Sequence, residues 1–328
     1  SIMPAPRFLI LTVALLAGAT NALAAATPDH YPTRPMRLLV GFAAGGGSDI
    51  IARALAQQLT ESLGQQVVTD NRTGAGGLIA AELAAKAPPD GYTLVLGSAS
   101  VFSITPHLHK KLPYDIWRDF APVANLASTP YVLLVNPNLP VRSVKELIAL
   151  ARARAGKLNY GSAGNGATTH LVTVYFESLA GIRMQHVPYK GGSPAMTDLM
   201  AGQIDVLFDP AITTLPHVAG GRIRALAIST AKRSPLFADL PTIAEAGLPG
   251  YESGNWFGIL ATGGSPQSAV ARLNPAINGA LDRPAMRERL LVQGADPSPG
   301  SVSDFAALIK REFARYGKIV RESGIRLD

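Results

Sequence analysis

The chain has 328 residues, 47% of them hydrophobic and 6% aromatic, with a formal charge of +7 at pH 7 and no cysteine. That length exceeds one ordinary core and sets an expectation of two alanine-rich α/β domains; the lack of cysteine excludes disulfides and lipid-bearing thiols. The basic residues are too scattered for a nucleic-acid surface. Their densest run (Lys310, Arg311, Arg315, Lys318, Arg321, Arg326) is broken by Glu312 and Glu322 and reads as a solvated helical face.

Arg7 precedes the apolar run Phe8–Ala17, and Ala22-Leu23-Ala24 has the small-x-small form of a cleavage site. Residues 1–24 therefore read as a secretory signal, with a soluble exported chain from Ala25 onward. After a lead-in with Pro28, Pro32 and Pro35, the stretch Leu38–Arg53 reads as a buried strand, a glycine turn (Gly45-Gly46-Gly47) and a helix start. Ser48 has the chemistry of an N-cap and Asp49 suits the first turn. A helix start of this kind carries free amides and a partial positive charge, so it can hold an anion.

A second strand over 66–70, a turn over Asn71–Gly77, a helix over 78–87 and a third strand over 93–96 complete a β-α-β-α-β pattern. Its three strand ends, Phe42, Asp70 and Ser98, fall along one sheet edge, where open α/β sheets bind ligands. Pro106–Asp119 reads as irregular, and Ala121–Val135 as one or two strands broken at Pro130. Ser143 and Glu146 form a capping box at the head of the next helix. The opening theme then returns: strand 158–160, glycine turn Gly161–Gly166, helix 168–179. Strands at 184–188, 206–208 and 223–228 alternate with helices at 193–201 and 213–219 in a second α/β unit. A short helix at 241–247, the connecting stretches 251–253 and 256–260, and helices at 267–281, 284–293 and 302–322 suit a chain that crosses back to the first domain. Two crossings make a hinge, and a hinge makes a cleft.

Nucleotide motifs are absent. Ile50, Ile79 and Thr169 stand where the last glycine of G-x-G-x-x-G belongs, and no turn carries the Lys-Ser/Thr of a P-loop. Ser162, His170 and Asp209 have the composition of a hydrolytic triad, but Tyr160 breaks the nucleophile-elbow pattern. His107 and His109 lack nearby acidic or thiol partners for a metal. Asp49 is either structural or a holder of waters or a ligand cation; Trp256 and Tyr189 either wall a ligand site or pack a core.

Several stretches together carry a resemblance: Val40–Arg53, Asn71-Arg72-x-Gly74-Ala75-Gly76-Gly77, Pro89–Leu94, Tyr160-Gly161-Ser162-x-Gly164-x-Gly166 with His170-Leu171, Val187–Gly191 and Leu240–Ile243. In order, they resemble the periplasmic solute receptors of the tripartite tricarboxylate transporter family, called Bug receptors in the bordetellae. The resemblance spans about 30–328. It implies an α/β, two-domain periplasmic binding protein of the Venus-flytrap kind, type II-like, each domain a mixed sheet flanked by helices. The domains expected are 25–127, 128–250 and a return over 251–328.

The implied function is non-catalytic: to bind a small mono-, di- or tricarboxylate, amino or aromatic acids included, in the cleft and deliver it to a membrane permease. A sensor protein as alternative partner shares the same physics. No cofactor, metal or nucleic acid is implied, and a monomer is expected. In the family, waters help hold the ligand carboxylate. Carried over, the first-domain contacts are Phe42, Gly46, Gly47, Ser48, Asp49 and Ser98; the second-domain contacts are Ser162, Gly166, Thr168 and His170, with Tyr189 and Asp209 on the specificity side. Ala167 departs from the family's Ser or Thr after the second glycine, which leaves Thr168 or Thr169 to supply that hydroxyl.

Overall fold

The computed structural model describes residues 31–74, 77–323 and 325, so the expected signal segment 1–24 lies outside the described residues. The apolar run Leu38-Leu39-Val40 is fully buried in β1 (Met36–Val40), and the glycine turn delivers the chain into α1 (Gly47–Leu63). β2 (Val67–Asn71), α2 (Leu78–Ala85) and β3 (Thr93–Ser98) follow, with β2 and β3 both parallel to β1.

The stretch expected to be irregular is partly helical. A π-helical turn (Ser100–Ile104) leads into α3 (Thr105–Leu108), and α4 (Ile116–Asp119) follows. Asp115 caps α4 by accepting from the amides of Trp117 and Arg118. Phe102, Tyr114 and Phe120 hold the segment down by edge-on ring packing, a tertiary cause with no local period.

β4 (Phe120–Thr129) and β5 (Tyr131–Val135) are separated by Pro130, which has no amide for a ladder; there the chain passes from the first sheet to the second. The second lobe comprises α5 (Val144–Ala153), β6 (Asn159–Ser162), α6 (Thr168–Ala180), β7 (Gln185–Pro188), α7 (Gly192–Ala201), β8 (Val206–Pro210), α8 (Ala211–Ala219) and β9 (Arg224–Ile228). Ser143 caps α5 through the Glu146 amide, as its spacing predicts. The short helix expected at 241–247 is instead a turn. Thr242 and Glu245 do exchange side chain-to-amide hydrogen bonds, but Thr242 bridges to Ile228 and Gly247 turns to φ +127°, which stops the helix before it propagates.

The return segment supplies β10 (Asn255–Thr262), α9 (Gln267–Leu281), α10 (Pro284–Val292), β11 (Asp296–Pro297) and α11 (Val302–Ser323). The first sheet has the order β11-β4-β10-β3-β1-β2, the second β7-β6-β8-β5-β9, and both are mixed. α1, α9 and α10 cover one face of the first sheet around Leu38, Leu55 and Leu273; α2 and α11 cover the other around Phe102, Trp256 and Phe305. α11 also reaches the second lobe. Its Tyr316, Ile319 and Val320 pack with Leu108 and with Leu171 of α6, and Ser253 and Tyr316 share a 2.9 Å hydrogen bond. Among the described residues no helix is long and apolar enough to cross a membrane.

Gly258 is where α11 seats on β10: an added Cβ would lie 2.2 Å from Phe305 Cζ, inside a buried ring cluster. Gly258→Ala should therefore cost about 1–3 kcal/mol by overpacking. Gly279→Ala in α9, with nothing within 4 Å of the added methyl, should be neutral or gain up to about 1 kcal/mol. Urea unfolding of both variants checks the contrast; equal midpoints would contradict the seating of α11.

Candidate ligand-binding site

The registers put the two glycine turns at adjoining edges. Val40 and Ser98 end β1 and β3 where β10 begins and β4 ends; Ser162 and Pro188 end β6 and β7 beside the end of β8 and the start of β5. Pro130 links the two edges, whose loops also touch. Ile212 at the head of α8 lies 2.8 Å from where a Cβ on Gly294 would be, and Gln293 Oε1 lies 3.1 Å from the corresponding point on Gly47.

In the first lobe the expected cap is corrected. Gly46, in extended conformation (φ −77°, ψ 165°), is the N-cap of α1 and supplies no side chain, while Ser48 sits inside the first turn. The opening amides of α1 thus lack both helical acceptors and a capping oxygen. Asp49, 2% exposed, is taken up by the turn itself: it accepts from the Gly45 amide at 2.8 Å, Arg53 Nε at 2.9 Å and Asn71 Nδ2 at 2.9 Å. Burial works to raise its pKa, but those hydrogen bonds and the Arg53 charge outweigh it and leave the carboxyl below its ordinary value. Asn71 also donates to the Phe42 carbonyl at 3.0 Å, so one amide ties both ends of the turn. Phe42 is half-buried against the first core, and Ser98 is buried with its hydroxyl 3.0 Å from that of Ser100.

The second lobe repeats the device. α6 begins after Ala167, which again has no capping side chain. Thr169 Oγ1 accepts from the Ala163 amide at 2.9 Å, which commits that hydroxyl to the turn, while Thr168, half-buried at the first helical position, hydrogen-bonds the buried Tyr131 phenol with its side chain. Gly166, at φ +71°, donates its amide to His170 Nδ1 at 3.1 Å, which places the His170 proton on Nε2. His170 stacks on His186 with ring centroids 3.9 Å apart, and Tyr160 stacks on His186 at 4.9 Å. Burial first, and then the His186 ring, push His170 down to about 4; burial lowers His186 as well. Tyr189 donates to Asp198 at 2.6 Å, and burial with that carboxylate pushes its phenol up to about 12. Asp209, 2% exposed, accepts from Thr213, and its Oδ1 lies 2.9 Å from where a Cβ on Gly192 would be. Burial pushes it up to about 6 against that hydrogen bond.

The hydrolytic grouping does not assemble. Ser162 donates to the Gly164 carbonyl at 3.0 Å and lies 2.7 Å from His186 Nε2; His170 is spent on Gly166 and Asp209 on Thr213. His107 hydrogen-bonds the Phe313 carbonyl at 2.8 Å, and among the described residues no group of three or more His, Asp or Glu is placed for a metal. Trp256 packs between Phe102 and Phe305. Residue-by-residue reading missed Asn71, His186 and Gln293. Asn71 stood in the quoted turn motif without a role, and no local signal marks the other two.

These features define a two-lobed solute receptor whose two uncapped helix starts lie at adjoining sheet edges. The family model described as the tripartite tricarboxylate transporter family receptor matches residues 51–325, and the chain belongs to this family of periplasmic receptors. It is 36% identical over 320 residues to the protein BugT of Bordetella pertussis, spanning 97% of this chain and 98% of BugT. Among solved structures, R. palustris Rpa4515 with adipate is similar at 40% identity and TM-score 0.72, over 90% of this chain and 99% of that one. MatC (Rpa3494) from Rhodopseudomonas palustris with bound malate is similar at 33% identity and TM-score 0.69, over 88% and 100%.

The His170 stack sets a pH expectation. Its folded pKa lies below the ordinary 6.5, so this imidazole contributes stability above about 6.5 that is lost as pH falls toward about 4. Asp209, raised to about 6, acts in the opposite sense, so a global melting curve mixes the two. Residue-specific NMR separates them: His170 should keep its neutral-ring shifts at pH 5.5, and a midpoint near 6.5 would contradict the stack.

Proposed function

We propose that this chain receives a small carboxylic acid, a dicarboxylate first of all, between the two glycine turns and hands it to a tripartite tricarboxylate permease. The observation that carries this is the pair of uncapped helix starts, α1 after Gly46 and α6 after Ala167, at adjoining sheet edges. Each offers amide donors and a partial positive charge, so an acid with a carboxylate at either end satisfies both lobes. Relatives holding adipate and malate support the same class. The contacts proposed are the backbone and side chains of Phe42, Gly46, Gly47, Ser48 and Ser98 on one side and of Ser162, Gly166 and Thr168 on the other, with the amides of Gly47, Ser48 and Thr168 as the donors, since the amides of Gly46 and Gly166 already bond Ala43 and His170. Asp49 and His170 hold the turns from beneath, and Tyr189 and Asp209 border the second-lobe end. The lobes correspond to 25–127 with 251–328 and to 128–250, apart from Ser128 and Thr129, which β4 keeps in the first lobe, and Tyr251, which packs in the second; the signal is removed after Ala24, and the receptor works as a monomer.

Thermal melting of protein unfolded and refolded to strip ligand, against mono-, di- and tricarboxylates, tests this. A true ligand at a hundredfold excess over its Kd adds about 2.7 kcal/mol, a shift of a few degrees. Ser162→Ala should weaken the best acid about tenfold through the loosened turn. A flat panel, or an acid consumed on incubation, would contradict the proposal.

A further inference from the structure

α11 covers a polar chamber that the carboxylate site does not use. Between this helix and strands β4, β10 and β11 lies a cavity of about 930 Å³, walled on another side by residues 230–233 and Pro235 of the second lobe. It is on the far side of the crossing strands from the glycine turns: β11 flanks β4, whereas β1 lies beyond β10 and β3. The register explains its lining. Ser128 of β4 faces both Trp256 of β10 and Asp296 of β11, and the bulge at Leu126 brings Asn125 to the same face, opposite Gly258. Glu312, which in sequence merely interrupts a basic face, enters from α11.

Four residues of this lining each carry one fully buried side-chain atom with no hydrogen-bond partner, Asn125 Oδ1, Asp296 Oδ1, Glu312 Oε2 and Trp256 Nε1, although the Asp296 carboxylate as a group also has the Ser234 hydroxyl beside it. Asn125, Trp256 and Glu312 are 8%, 2% and 3% exposed. Their other polar atoms are occupied where they have any, Asn125 Nδ2 by Ser298 at 2.9 Å and Glu312 Oε1 by Arg315 at 2.8 Å. Three of the four orphans are acceptors and one is a donor. Four of the five lining cations already pair with carboxylates, Arg233 with Glu245, Arg287 with Asp282, Arg311 with Glu252 and Arg315 with Glu252 and Glu312, and the fifth, Lys232, is exposed on the wall from the second lobe. Burial raises Glu312, to about 7, and Asp296, so a bound donor relieves both.

We propose that this chamber is a second binding site, for a small primary ammonium compound carrying an oxygen acceptor, of which an amino alcohol is the simplest form. The ammonium group offers N–H donors to Asn125, Asp296 and Glu312, and the oxygen accepts from Trp256 Nε1. The site needs no carboxylate, so it stands or falls separately from the interlobe cleft.

The chain has two tryptophans, so ¹⁵N NMR shows two indole N–H signals, and Trp117→Phe assigns that of Trp256. Ethanolamine titrated into the folded protein should move the Trp256 signal in a saturable way. Choline, with the same charge and hydroxyl but no N–H, should not. Glu312→Gln and Asp296→Asn, each checked for an unchanged fold by its NMR spectrum, should raise the ethanolamine Kd about tenfold. No saturable shift would mean that the chamber holds water only; equal shifts with choline, or unchanged affinity in both variants, would equally overturn the assignment.

Discussion

Everything at the cleft depends on amides left without side-chain caps at two helix starts. A helix N-terminus must give its free N–H groups to something, and a serine or aspartate cap is the usual answer. Here the chain places Gly46 and Ala167 at the capping positions and directs the nearby polar groups elsewhere: Asp49 to Gly45, Arg53 and Asn71, Thr169 to Ala163, His170 to Gly166. The turns are therefore rigid without being satisfied. In the proposed site, a turn already held in place limits what a ligand must order on arrival, and the open amides supply the attraction.

The two lobes reach this condition by different means. The first uses a buried carboxylate kept ionised by three donors, so its turn is held by charge. The second uses a stack of Tyr160, His186 and His170 kept neutral by burial, so its turn is held without adding positive charge beside the helix start. α11 then spans the lobes from the Gly258–Phe305 seat to the Tyr316–Leu171 contact, which ties hinge geometry to one element. Movement of one lobe against the other must be absorbed at Pro130, at the segment before β10 and along this helix.

Much of this was legible in sequence. The glycine turns, the strand-to-helix order and the strand break at Pro130 follow from period and punctuation, and the family resemblance rested on motifs most of which sit at the two edges, Pro89–Leu94 at the far end of β3 being an exception. What escaped was tertiary. Ser48 has the chemistry of a cap, but the backbone enters the helix two residues earlier. Thr242 and Glu245 form their local bonds without a helix, because Gly247 and the Ile228 bridge end it. His186 and Gln293 reach the site from strand and loop positions that carry no signature, and Glu312 is buried because α11 turns it inward, against the polarity of its neighbours.

The central claim is that one acid touches both helix starts, and a crystal structure grown in saturating adipate or malate tests it most directly. The account predicts one ligand carboxylate on the amides of Gly47 and Ser48, with the other end at the Thr168 amide beside Gly166. A ligand confined to one lobe, or bound away from both glycine turns, would contradict it.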